Sequence, residues 1–382
     1  MRTRELLVSF AAIATLALVL GAVLAATPPA VSAQTPARDQ TDADILYLPV
    51  RQELLLVWSE DRGSGHRIFG KRVRFNGLPV GGPTGGEWEI TGPTGPSGAK
   101  GDQRWPAVLD GLLVWSEKLP GATDYDLYAQ RMRGNSRTQG RPVMIAGGPG
   151  DQKYADIARS RNTEWLVVWS EDAADAGDIK GLRLSTALTP RSKVIQIAKG
   201  PETAEDPTIA ADPRNPGYFL VLWTDDRKGN RDIYGTRIAA TGIPRGGGAT
   251  FGHFPVIDAP EDDYAPALLT ATIERLPPYR GLRRDTETRS LLMWTRDTVT
   301  DGPDVLALRL HGNGFPVGPT ISVASGPGTQ AWPAAALKTR RGDRSEWMAV
   351  WQTDPLGTMD IWGVEVNTNG HVRRPPRPLA AD

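Results

Sequence analysis

LVLWTDDRKGNRDIYGTRI, residues 220–238, is the stretch on which the fold turns. Its apolar run ends at Trp223 and has no polar alternation, which is the pattern of a strand buried on both faces. The polar, glycine-bearing segment Asp225–Arg231 follows and reads as a turn. Asp232-Ile233-Tyr234-Gly235-Thr236-Arg237 then reads as a second strand, so the stretch is a hairpin.

Five further copies of this hairpin occur, at residues 54–73, 112–132, 166–184, 291–310 and 348–366. Their tryptophans are Trp58, Trp115, Trp169, Trp294 and Trp351, and with Trp223 they give spacings of 57, 54, 54, 71 and 57 residues. Near-equal periods of this length with the same flanks define a repeat architecture. Two shorter strand signals complete each repeat. The first precedes the tryptophan run, often at a proline: 48–50, 106–108, 156–158, 207–210, 266–269 and 333–336. The other follows the hairpin and carries proline in or beside it, at Pro142, Pro255, Pro319 and Pro378. Proline belongs on an edge strand, where its missing N–H costs no ladder bond. Six units of four antiparallel strands predict an all-β fold, a six-bladed β-propeller of four-stranded antiparallel blades. Separate β-sandwich modules would need ~100 residues each, about twice the repeat length. The ring is expected to close without exchanging a strand, its first strand at 46–50 and its last at 376–380.

The W-S-[DE]-x-R-x-G-x-x-D-I-Y-G-x-R pattern, best seen at 223–237, resembles the repeats of secreted bacterial propellers of the TolB-like superfamily. The resemblance covers about residues 43–382 and implies a binding module.

Ahead of the repeats, residues 1–33 have the form of a signal peptide: Arg2 and Arg4, an apolar run from Leu6 to about Ala26, and small residues at Val31-Ser32-Ala33. The other reading is a retained anchor, since ~20 apolar residues span a bilayer. Both place the chain outside the cytoplasm, secreted, periplasmic or at the cell surface, with membrane contact only through a retained segment. Residues 34–42 read as a linker and 43–382 as the propeller.

The 382 residues include no cysteine, which excludes disulfides, thiolate zinc sites and cysteine nucleophiles. Lys+Arg and Asp+Glu both total 44, so a globally basic nucleic-acid binder is excluded and no nucleic-acid partner is expected. No cofactor or metal is expected either. Acids do cluster in the turns after the tryptophans, at Glu171, Asp172, Asp175 and Asp178, at Asp225, Asp226 and Asp232, and at Asp297, Asp301 and Asp304. Oxygen-rich loops can hold calcium, but the spacing of a calcium loop is missing, and the preferred reading is that these acids bond their own turns. Arg72, Arg131, Arg183, Arg237 and Arg309 recur in the third strands. Direct pairing with the acid after the tryptophan is ruled out by distance, which leaves a partner in the neighbouring blade.

Strand reversal sorts the charges. Turns between second and third strands share one face with the blade connections, and these are rich in acids. The opposite face collects bases, including Arg340, Arg341 and Arg344 and, in the insertion 271–290, Arg275, Arg280, Arg283 and Arg284. One-sided charge favours an oriented contact with a charged partner. The acidic face also carries Trp105, Tyr154, Tyr264 and Trp332 at first-strand entries; these are the ligand-binding candidates, with packing onto a neighbouring blade as the other reading.

No nucleophile elbow, zinc-protease helix or phosphate loop occurs, and no acid pair stands out as general acid and base. The expectation is therefore a secreted, non-catalytic propeller that binds a protein or polysaccharide at the cell surface. The alternatives are a multivalent carbohydrate-binding lectin and an envelope glycoside hydrolase or lyase with one deep pocket at the channel mouth.

Overall fold

The computed structural model describes residues 39–80, 86–92, 94, 100–134, 136–159, 164–173, 176–200, 203–212, 217–239, 241, 252–275, 285–299, 301–311, 313–338, 346–354, 358–367 and 372–380. The 1–33 leader lies outside them. Arg38–Asp382 is one compact unit. It contains six sheets of four antiparallel strands, each in the simple order first–second–third–fourth. Blade 1 spans Gln40–Glu89, blade 2 Asp102–Ala146, blade 3 Gln152–Ala198, blade 4 Ala204–Ile257, blade 5 Asp263–Ala324 and blade 6 Gln330–Ala380. First strands of successive blades are neighbours all round, and that of blade 6 meets that of blade 1, so the six-bladed propeller is closed.

The first strand of blade 1 is Gln40–Leu48, not 46–50. Its opening residues were assigned to the linker because Gln40-Thr41-Asp42 is polar; they pair with Glu60 and Ser59 at the tryptophan end of the second strand. The N–H of Gln40 donates to the carbonyl of Met359 at 2.9 Å, and this bond ties blade 1 to blade 6. No strand is exchanged. Pro142, Pro255, Pro319 and Pro378 all lie in fourth strands, at the outer edge of their sheets.

The repeat tryptophans are the seams of the ring. Trp58, Trp115, Trp169, Trp223 and Trp294 are fully buried and Trp351 is 2% exposed. Each fills the apolar cluster between its own blade and the preceding one: Trp58 between blades 6 and 1, Trp115 between 1 and 2, and so on to Trp351 between 5 and 6. A buried indole N–H needs an acceptor. The acid two residues later supplies it at Glu60 (2.9 Å), Glu117 (2.9 Å) and Asp225 (2.8 Å). In blade 5 that position is Arg296, and Trp294 donates instead to Asp263 at 2.6 Å, with Arg296 bound to the same carboxylate.

Three of the third-strand arginines pair within their own blades, not across to a neighbour. Arg72 binds Glu53 at 3.1 Å, Arg237 binds Asp212 at 3.3 Å, and Arg183 binds Glu164. The partner is an acid at the far end of the hairpin, which a comparison restricted to the acid after the tryptophan overlooks. Arg72 lies opposite Leu55, so Glu53 is its diagonal neighbour on the same face.

The 271–290 insertion is an extension of a hairpin. The first strand of blade 5 runs Asp263–Arg275 and its partner Asp285–Arg296, paired as far as Arg275 opposite Asp285. Arg275 is thus placed by its backbone alone; Arg280, Arg283, Arg284, Arg340, Arg341 and Arg344 lie outside the described residues.

Candidate functional site: the mouth of the central channel

Opposite every repeat tryptophan, the first strand carries two residues where the ladder expects one. Asp42-Ala43 face Trp58, Trp105-Pro106 face Trp115, Tyr154-Ala155 face Trp169, and Asp206-Pro207 face Trp223. Blades 5 and 6 repeat the arrangement with Ala265-Pro266 and Trp332-Pro333. The first residue of each pair lies in the left-handed region, at φ of 57°, 51°, 53°, 49°, 50° and 49° in blade order. A bulge of this kind bends its strand and re-aims a side chain. Left-handed backbone is uncommon for such residues and persists only where its surroundings impose it.

The bulges place one residue per blade around a single opening: Asp42, Trp105, Tyr154, Asp206, Ala265 and Trp332. All six line a central cavity of about 710 Å³ bounded by the first strands from the bulges onward. Blades 1 and 4 are opposite in a closed ring of six, so Asp42 and Asp206 face each other across the mouth. Both are half-buried. Burial raises Asp42, and the hydrogen bond from the Thr41 hydroxyl, the nearby Ser59 hydroxyl and the charges of Arg104 and His66 oppose the rise. Burial also raises Asp206, to about 8; the Glu205 carboxylate adds to the rise, while Arg231, Lys153 and the Thr224 hydroxyl oppose it. Beside Asp42, Arg104 is fixed by Asp102 at 2.9 Å, and the Nδ1 of His66 lies 3.2 Å from the same carboxylate. Burial would raise Asp102, but the Tyr125 hydroxyl, Arg104 and the His66 amide outweigh it and hold Asp102 at about 2.

Two more acids line the wall, one step deeper. Asp44 accepts the N–H of Ile45 and, across the seam, that of Val108 at 2.7 Å. Asp156 accepts the N–H of Ile157 and, from the next blade, the N–H of Ile209 and the hydroxyl of Thr208, both at 2.8 Å. Thr208 in turn accepts the N–H of Leu268 at 3.0 Å. These side chains sit two residues after the bulge in blades 1, 3 and 4 and latch each blade to the next. Burial raises Asp44 to about 7, with the nearby Asp156 carboxylate contributing.

Of the four aromatic candidates, Trp105, Tyr154 and Trp332 line the cavity and Tyr264 does not. Tyr264 precedes the bulge and is buried; its hydroxyl donates to Asp297 at 3.0 Å and its ring meets Trp332 edge-on at 6.2 Å. Sequence reasoning missed Asp42, Asp44, Asp156 and Asp206. The available signal was position: the ring residue immediately precedes a proline in Trp105, Asp206, Ala265 and Trp332. Among the described residues, no group of three or more acids or histidines is placed to hold a metal ion.

No protein-family model and no curated protein matches the chain. Solved structures do. A protein of unknown function from Dyadobacter fermentans is 14% identical, with 86% of this chain and 94% of that chain covered and a TM-score of 0.60. A subtype N11 neuraminidase-like protein of A/flat-faced bat/Peru/033/2010 (H18N11) is 9% identical, over 89% and 90%, with a TM-score of 0.50. An α-L-arabinofuranosidase from Fusarium graminearum is 11% identical, over 88% and 99%, with a TM-score of 0.49. At such identities the likeness shows the fold, that of a β-propeller, and gives no support to a TolB-like kinship. The expectation of a non-catalytic scaffold is corrected here. The mouth holds opposed carboxyls, both raised by burial, that the motif search could not see.

Proposed function

We propose that the chain is a glycoside hydrolase acting at the channel mouth. The observation that carries this reading is the pair Asp42 and Asp206, two acids at the same ring position on opposed blades, with aromatic side chains between them. Glycoside hydrolysis needs one carboxyl that keeps its proton and one that gives it up. Asp206, at about 8, is protonated at neutral pH and serves as general acid to the glycosidic oxygen. Burial raises Asp42 as well, against the charges of Arg104 and His66; it is assigned the part of base to a water as the second carboxyl of the ring, and the comparison of D42N with D206N decides the roles. That water attacks the anomeric carbon as the C–O bond breaks. Its proton passes to Asp42, and the departing oxygen takes the proton of Asp206. Trp332, exposed at the mouth, supplies an apolar face for a sugar ring.

The test is a panel of 4-nitrophenyl glycosides and plant polysaccharides, arabinan and arabinoxylan included, read by nitrophenol and reducing-end release. D206N should lose roughly 10²–10⁴-fold on substrates with poor leaving groups and less on activated aryl glycosides. D42N should lose both. The opposite pattern exchanges the two roles, and wild-type protein inert on the whole panel sinks the reading.

A further inference from the structure

The aromatic residues of the mouth are not equivalent. Trp105 is hemmed in: Tyr154 packs on it with ring centroids 4.9 Å apart, Tyr125 at 5.1 Å, and the Lys153 ammonium lies 6.0 Å from its ring. The Tyr125 hydroxyl is in turn bound to Asp102. These rings spend their faces on one another. Trp105 is half-buried, whereas Trp332 is 37% exposed. Beneath it the structure is rigid. Tyr264 meets its edge, the Arg231 guanidinium lies 4.0 Å from the centroid of Tyr264, and Arg231 is pinned by Asp262 and Asp297. The Trp332 N–H is fixed to the Thr295 hydroxyl at 3.0 Å. Its neighbour in the ring is Ala265, a methyl where other blades carry Trp, Tyr or Asp.

A tryptophan braced from below, bare on the cavity side and flanked by the smallest side chain of the ring has the form of a stacking platform. We propose that Trp332, with the space left by Ala265, is the subsite that holds a sugar unit beyond the reacting one, and that the Trp105–Tyr154–Tyr125 cluster is a structural wall. The substrate class is then an oligo- or polysaccharide laid over blades 5 and 6, not a free monosaccharide glycoside. This rests on the glycoside-hydrolase reading for the meaning of the reacting unit, though not for the existence of the platform.

The experiment compares branched arabinan with 4-nitrophenyl α-L-arabinofuranoside in wild type, W332A, W332F, A265W and W105A. Trp at position 265 is compatible with the backbone, because Trp105 and Trp332 adopt the same left-handed φ at the equivalent site. W332A should raise KM for arabinan by roughly tenfold, more than for the aryl glycoside, and W332F should recover most of the loss. A265W should raise KM for arabinan as well. W105A should lower the melting temperature instead. Equal KM effects on both substrates, or a W105A variant that matches W332A with an unshifted melting temperature, overturn the proposal. Arabinan binding is read in parallel by tryptophan fluorescence. If wild type binds arabinan without cleaving it, the enzymatic reading fails and the loss of binding in W332A still decides the platform. If wild type does not bind arabinan, the platform falls too.

Discussion

The hydroxyl of Thr224 accepts the N–H of Ala265, at 3.1 Å, from the next blade, and its dipole opposes the burial-raised pKa of the Asp206 carboxyl. Thr224 is fully buried, directly after the repeat tryptophan of blade 4. One side chain therefore tempers the proton affinity of the proposed acid and ties blade 4 to blade 5.

Thr224 acts as a positioning residue, and its removal has a direction. Its hydroxyl favours the ionised form of Asp206, so T224V should raise the Asp206 pKa further and move the alkaline limb of the pH–rate profile upward. T224S should restore the limb. A profile unmoved in T224V, whatever the change in rate, would remove Thr224 from the site.

Asp206 should also mark the pH dependence of stability. Its folded pKa of about 8 lies above the ordinary value of 3.8. Below both values the carboxyl is protonated whether the chain is folded or not, and the group has no net effect. As pH rises from about 4 to about 8, the unfolded chain releases its proton first, and the folded state loses stability throughout that interval. D206N removes the penalty. Its advantage in melting temperature over wild type should be larger at pH 9 than at pH 4; a constant difference would show that the carboxyl is not held protonated.

The channel-wall latches predict a stability effect away from the mouth. D156A leaves the Ile209 N–H without its acceptor at the seam of blades 3 and 4, at a cost of about 1–3 kcal/mol. D156N keeps an acceptor oxygen and should cost less. Denaturant unfolding measures both, and an unshifted midpoint for D156A would mean that the latch adds nothing.

The stereochemistry of the reaction follows from the direct attack of water. Carboxyls about 5–5.5 Å apart give retention, and those about 6.5–9.5 Å apart leave room for a water and give inversion. In the proposed step a water activated by Asp42 displaces the leaving group directly, with no glycosyl-enzyme, so the first-formed product should have the inverted anomeric configuration. Proton NMR of the nascent sugar reads this directly, and retention would require a different second carboxyl.

Much of this architecture is legible in the chain. Trp223 at the end of Leu220-Val221-Leu222 announces a strand buried on both faces, and Pro255 and Pro378 announce the sheet edge, because each pattern has a local physical cause. The mouth is different. Asp206-Pro207 reads as a turn, since neither Asp nor Trp nor Tyr advertises left-handed backbone as glycine does. Only alignment of the six first strands shows that Asp42, Trp105 and Asp206 occupy one position. Counting charges by face gives no radius, and radius separates an acid on a solvated turn from one in the channel. The pairing of Arg72 with Glu53 was hidden for a related reason: it depends on a diagonal neighbour across the hairpin.

The bulge opposite each tryptophan has a consequence for how such a ring can change its chemistry. The left-handed kink is imposed by the strand register and the indole behind it, and the backbone there holds Asp, Trp, Tyr and Ala at φ values within a few degrees of one another. Folding therefore exerts little preference over which side chain is written at those six places. The propeller works as a fixed frame around six interchangeable letters, here D, W, Y, D, A and W, and a new substrate requires respelling the mouth without rebuilding the blades.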